Sequence, residues 1–107
     1  MPKATTAKAA TNTVTYVVTG SSADVTYGPA GTQLSGSVPM RKTAAIPASP
    51  PDYYSIDAQL NGSGSVTCEI LVGGSVISKA SATGSYNIAS CEIDQDPFSG
   101  NWEDTNG

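Results

Sequence analysis

The chain of 107 residues contains no histidine. That absence removes Ser-His-Asp and Cys-His catalysis and every zinc site that relies on imidazole. Cysteine is scarce too, and the two present, Cys68 and Cys91, are too few to complete a structural zinc site. Charged residues make up only 13% of the chain, five of them basic, with a formal net charge of −4. Five basic residues cannot build a cationic face that neutralises a run of phosphates, so nucleic acid is not an expected partner. No window approaches the roughly 18 apolar residues of a membrane-crossing helix, and the start "MPKATTAKAATN" lacks the apolar core of a signal peptide. Membrane insertion is therefore not expected from the sequence as it stands.

Thr, Ser, Ala and Gly fill much of the chain, beside a hydrophobic share of 38%. This is the composition of a thin β-protein with a modest core, and the length suits one domain. Residues 1–12 show neither helical nor strand periodicity and read as a flexible arm. From Thr13 the pattern changes: "TVTYVVT" puts Val14, Tyr16 and Val18 on one face, and "ADVTY" alternates Ala23, Val25 and Tyr27 with Asp24 and Thr26. With "GSS" between them, the two runs are expected to form a hairpin.

"TQLSGSV" reads as a weaker strand, because Gly36 favours a bulge or an edge. Residues 39–52 hold Pro39, Pro47, Pro50 and Pro51, whose fixed φ and missing N–H groups exclude a central strand. A long surface connection that crosses between sheets is expected there. "YYSIDAQLN" alternates cleanly, with Tyr54, Ile56, Ala58 and Leu60 on the buried side. In "SVTCEILV", Val66, Cys68, Ile70 and Val72 share a face, and Gly73-Gly74 offers the two positive-φ residues of a tight hairpin turn before "SVISKAS". "YNIASCEI" closes the series, with Asn87, Ala89, Cys91 and Ile93 on one side and Tyr86, Ile88 and Ser90 on the other. About seven short strands at regular spacing predict an all-β fold, an immunoglobulin-like antiparallel β-sandwich over residues 13–93. The acidic tail, residues 94–107, falls outside that pattern.

Two cysteines 23 positions apart on strands not adjacent in sequence fit either a bridge or two buried free thiols. Neither has a neighbour that would lower a thiol pKa, so a catalytic role is not expected. Lys79 beside Ser78 and Ser81 reads as a solvated strand face. Glu92, Asp94 and Asp96 alternate, and "DQDPFSGNWED" starts like a calcium loop, but Pro97 and Phe98 stand where ligands and the turn glycine belong. No metal and no cofactor are expected.

Phe98 and Trp102 are the only Phe and Trp. They either fold back over an open edge of the domain's own core or anchor it on a neighbouring subunit. Lys3, Lys8, Arg41 and Lys42 give the first 45 residues a net +3, and the acidic residues that follow give the remainder −7. That asymmetry would orient a contact with a protein neighbour, own copies included, and would do so over a short range because exposed charges are screened beyond about 10 Å.

Taken in order, "VTYVVTGSSADVTY", "SVPM", "IDAQLNGSGSVTCEILVGGSVIS" and "YNIASCEI" resemble the soluble domain of the MmpS family, small actinobacterial membrane proteins. The resemblance covers about three quarters of the chain. It implies a β-sandwich with a Cys68–Cys91 disulfide, and an accessory role beside MmpL-type envelope transporters. Residues 1–12 supply an Ala/Thr/Lys arm where the family carries a transmembrane helix, and Met40 stands where the family usually has tryptophan. The expectation is a non-enzymatic structural or binding module: a virion protein of an actinobacterial phage, decorating the capsid or forming a minor tail component. The alternative is an exported MmpS-type module in the cell envelope outside the membrane. A bridge, if formed, places the working protein outside the cell.

Overall fold

The computed structural model describes residues 13–105. Its strands are β1 (Thr13–Gly20), β2 (Ala23–Pro29), β3 (Leu34–Ser37), β4 (Met40–Ala45), β5 (Tyr54–Leu60), β6 (Ser65–Val72), β7 (Ser75–Thr83), β8 (Ile88–Gln95) and β9 (Trp102–Asp104). There is no helix among the described residues. The strands form two antiparallel sheets, one in the order β4-β1-β6-β7 and the other in the order β3-β2-β5-β8-β9. The two pack face to face as an immunoglobulin-like β-sandwich.

The expected period-two patterns decide which side chains meet. Val14, Tyr16 and Val18 of β1 and Val66, Cys68 and Ile70 of β6 point inward from one sheet. They meet Val25 and Tyr27 of β2, Tyr54 to Leu60 of β5 at alternate positions, and Ala89, Cys91 and Ile93 of β8. Ile56, Leu60, Ile70 and Ile93 are wholly removed from water. Each such side chain contributes about 1.5–3 kcal/mol, so four of them outweigh any single surface ion pair in this molecule.

Three expectations are corrected. About seven strands were expected and nine are present among the described residues, the additional two being β4 and β9. Residues 40–45, expected as part of a surface connection, are an edge strand paired only with β1. The four prolines permit this because Pro39 precedes the strand and Pro47, Pro50 and Pro51 follow it, so the chain crosses between sheets on both sides of β4, at residues 38–39 and again at residues 46–53. Likewise β9 lies inside the tail that was expected to stand outside the pattern, and it pairs with β8.

The third correction concerns β1 and β2, which are not a hairpin. β1 pairs with β4 and β6, and β2 pairs with β3 and β5, so the chain changes sheets at residues 21–22. Gly20 allows the crossing: its φ is +119°, and its α-carbon faces the Ser65 carbonyl with no room for a side chain. Ser21 completes the corner by donating its N–H to that carbonyl at 2.7 Å.

The turn between β6 and β7 is as expected, with φ of +60° at Gly73 and +87° at Gly74. Just beyond it, Ile70 pairs with Ser78 while Leu71 pairs with Val76, which leaves Ile77 as a bulge residue. The bulge moves the ladder by one residue. The β1–β6 register runs unbroken past it, so Val72, opposite Val14, keeps the expected core face and is half-buried at the edge of the core, while Leu71 is buried on the other face opposite Thr15.

Candidate functional site

The candidate site lies at one end of the sandwich, where β8 and β9 form a hairpin beside an open groove. The loop of that hairpin, residues 96–101, is built around Asp96. Its carboxylate accepts from the Phe98 N–H at 3.1 Å and from the Ser99 hydroxyl at 2.8 Å. Its carbonyl accepts from the Gly100 N–H, and its own N–H donates to the Asn101 carbonyl, both at 2.8 Å. Ser99 Oγ accepts from the Asn101 N–H, and Gln95 Nε2 donates to the Gly100 carbonyl. Asp before Pro, with Ser and a positive-φ Gly following, is turn chemistry rather than ligand chemistry. The Phe98 N–H and Ser99 hydroxyl hold the Asp96 carboxyl below its ordinary range, because both bonds favour the charged form.

This fixed tip presents Phe98 to solvent, 96% exposed. Trp102, expected to act with it, does something else. It is half-buried at the edge of the core, and its ring lies 5.5 Å from that of Tyr54. Tyr54 continues to Tyr16 at 6.2 Å and Tyr16 to Tyr27 at 4.9 Å, so Trp102 ends an aromatic row that crosses between the sheets. Burial raises the phenol pKa of Tyr54. Burial, and then the neighbouring Tyr54 and Tyr27, raises that of Tyr16 as well, so both hydroxyls stay protonated at neutral pH. Of the two candidate anchors, Trp102 covers the domain's own edge and Phe98 alone projects.

The groove has a volume of about 1140 Å³. Ala45, Ile46, Pro47 and Pro50 line one wall, Val72 and Ile77 another, and Gln95, Asn101, Trp102 and Glu103 the third. Ile77 reaches the groove because the bulge leaves it outside the β6–β7 pairing. Beneath the third wall, the buried Ser78 donates to Asp104 Oδ1 at 3.0 Å and so ties β9 to the opposite sheet. Neither the groove nor this tie was visible in the sequence. Both depend on two edge strands that only the folded chain defines.

Cys68 and Cys91 are bonded, with Cα atoms 6.2 Å apart, and join β6 of one sheet to β8 of the other. Both are essentially inaccessible, at 0% and 1% exposure. The bond consumes the only thiols and is the state expected of a protein in an oxidising environment outside the cytosol. Lys79 and Ser78 are consecutive on β7 and face opposite sides. Lys79 pairs with Glu69 at 3.5 Å on the exposed face, so the two do not form a dyad.

Arg41 and Lys42 are exposed on β4, at the edge of its sheet, and do not line the groove. They belong to the four-stranded sheet, whereas Phe98 projects from the β8–β9 hairpin of the other sheet. Charged residues on an edge strand also discourage pairing with another sheet edge. Lys3 and Lys8 lie outside the described residues. The chain matches no protein-family model, no curated protein and no solved structure.

Proposed function

We propose that this is a non-enzymatic structural module that works outside the cell as a virion component of an actinobacterial phage, docking on protein neighbours through the Phe98 hairpin. The observation carrying this reading is a fully exposed phenylalanine held on a pre-ordered loop. A rigid aromatic tip loses little conformational freedom on binding, so the area it buries converts efficiently into affinity. The Cys68–Cys91 bond suits the same setting, because a cross-linked sandwich withstands an extracellular life without chaperones.

The direct test is the protein composition of purified phage particles, combined with Phe98→Ala. The wild-type protein should be a stoichiometric particle component. The variant should fold unchanged yet bind about 30-fold more weakly, the effect of removing an anchor worth about 2 kcal/mol. Particles that lack the protein, or that retain the variant fully, would refute the reading. Removing residues 94–107 is the poorer test, since it deletes Trp102 and β9 and so uncovers the core.

A second reading is an MmpS-type accessory module of an envelope transporter. It rests on the resemblance, whose two cysteines are the pair bonded here. Co-purification with a transporter instead of with particles would favour it.

A further inference from the structure

We propose that the groove at the end of the sandwich is the docking site for residues 1–12 of the same chain. Three observations converge on that occupant. The first is where the described chain begins. Thr13 pairs with Ala45 across β1 and β4, and its carbonyl accepts from the Gly73 N–H at 3.1 Å. Ala45 lines the groove, as does Val72, the neighbour of Gly73. Thr13, the first described residue, therefore stands beside the wall of the groove, and twelve residues precede it in the chain. Extended, they span about 40 Å, more than enough to lie along it.

The second observation is charge. Lys3 and Lys8 are the only charged side chains among residues 1–12. Among the described residues Glu103 is the only charged one lining the groove, and Asp94 stands opposite it in the β8–β9 ladder. The third is size and polarity. Apart from the two lysines, the segment consists mainly of Ala and Thr. These small side chains suit a groove with Val72, Ile77 and Trp102 among its walls and the amides of Gln95 and Asn101 at its side.

The segment docks in cis rather than on a second copy. A segment tethered at the groove is present at an effective concentration on the order of 1 mM, so a contact with a free-peptide Kd of about 0.1 mM would be roughly 90% formed. This contact is separate from the Phe98 contact, and the inference stands whether or not Phe98 docks elsewhere.

Trp102, the single tryptophan, lines the groove and reports its occupancy. Acrylamide quenching of its fluorescence should be weak in the full chain and stronger once residues 1–12 are removed. A synthetic peptide of residues 1–12 should restore the shielding saturably, and added salt should weaken that restoration. The full-length variant Lys3→Glu/Lys8→Glu keeps β1 intact and should move toward the unshielded value, with an unchanged far-ultraviolet circular dichroism spectrum. Equal quenching in the full chain and the charge-reversed variant would overturn the proposal. So would shielding that grows with protein concentration, which would assign the segment to a neighbouring copy.

Discussion

Replacing both Cys68 and Cys91 with alanine removes the disulfide cross-link between the two sheets. The bridge closes a loop with a sequence separation of 23. Such a cross-link restricts the unfolded chain by about 3.5 kcal/mol in the chain-entropy account. The void left by two buried sulfur atoms adds to this loss, because both positions are sealed by neighbouring core residues. A domain of this size has a total stability of about 5–15 kcal/mol, so the variant should lose between a quarter and well over half of it. The urea midpoint should fall by about 1–3 M, and Tm by about 14–28 °C. Urea titration of oxidised wild type and of the double variant, followed by Trp102 fluorescence and by circular dichroism, measures the difference. Buried sulfurs are also shielded from an attacking thiolate, so reductant should cleave the bond only at urea concentrations that open the sandwich. A midpoint shift below about 0.3 M, or rapid reduction of the folded protein, would show that the bond does not constrain folding as argued.

Three further predictions concern the corners and the groove end. Asp96 has a depressed carboxyl pKa, so the order it gives the hairpin tip is present above the ordinary carboxylate range and is lost as pH falls through its lowered value; the Phe98 and Asn101 amides should lose their protection, relative to the unfolded chain at the same pH, there and keep it at pH 6. Ser78→Ala removes the hydroxyl that holds Asp104 and should cost about 1 kcal/mol in urea unfolding, with Trp102 becoming easier to quench; an unchanged midpoint would mean the tie between β7 and β9 is dispensable. Gly20→Ala combines an unfavourable positive φ with a clash against the Ser65 carbonyl and should destabilise by more than about 1 kcal/mol, whereas Gly62→Ala, with open space around it, should be near neutral.

The alternations in "YYSIDAQLN" and "SVTCEILV" were legible because one face of each strand must be dry, and period two leaves no other assignment for Ile56, Ala58, Leu60, Val66, Cys68 and Ile70. Gly73-Gly74 was legible because a two-residue hairpin turn demands positive φ at both positions. β4 was not, since its sequence "MRKTAA" buries only Met40 and carries no alternating signal. An edge strand exposed on both faces is stabilised by its partner's backbone, which leaves no mark on its own side chains. The same holds for β9, three residues long, whose pairing was masked by the acidic composition around it.

Composition and pattern by themselves determined that histidine-dependent chemistry is excluded, that the chain is an all-β sandwich, and which side chains of β1, β2, β5, β6 and β8 form its core. Tertiary structure alone decided that β1 and β2 part into different sheets. It likewise separated Trp102 from Phe98, turning one inward onto Tyr54 and leaving the other exposed. The reason is physical. Period and turn residues act within a few positions along the chain, whereas sheet membership and edge pairing depend on which surfaces remain open once the core has closed.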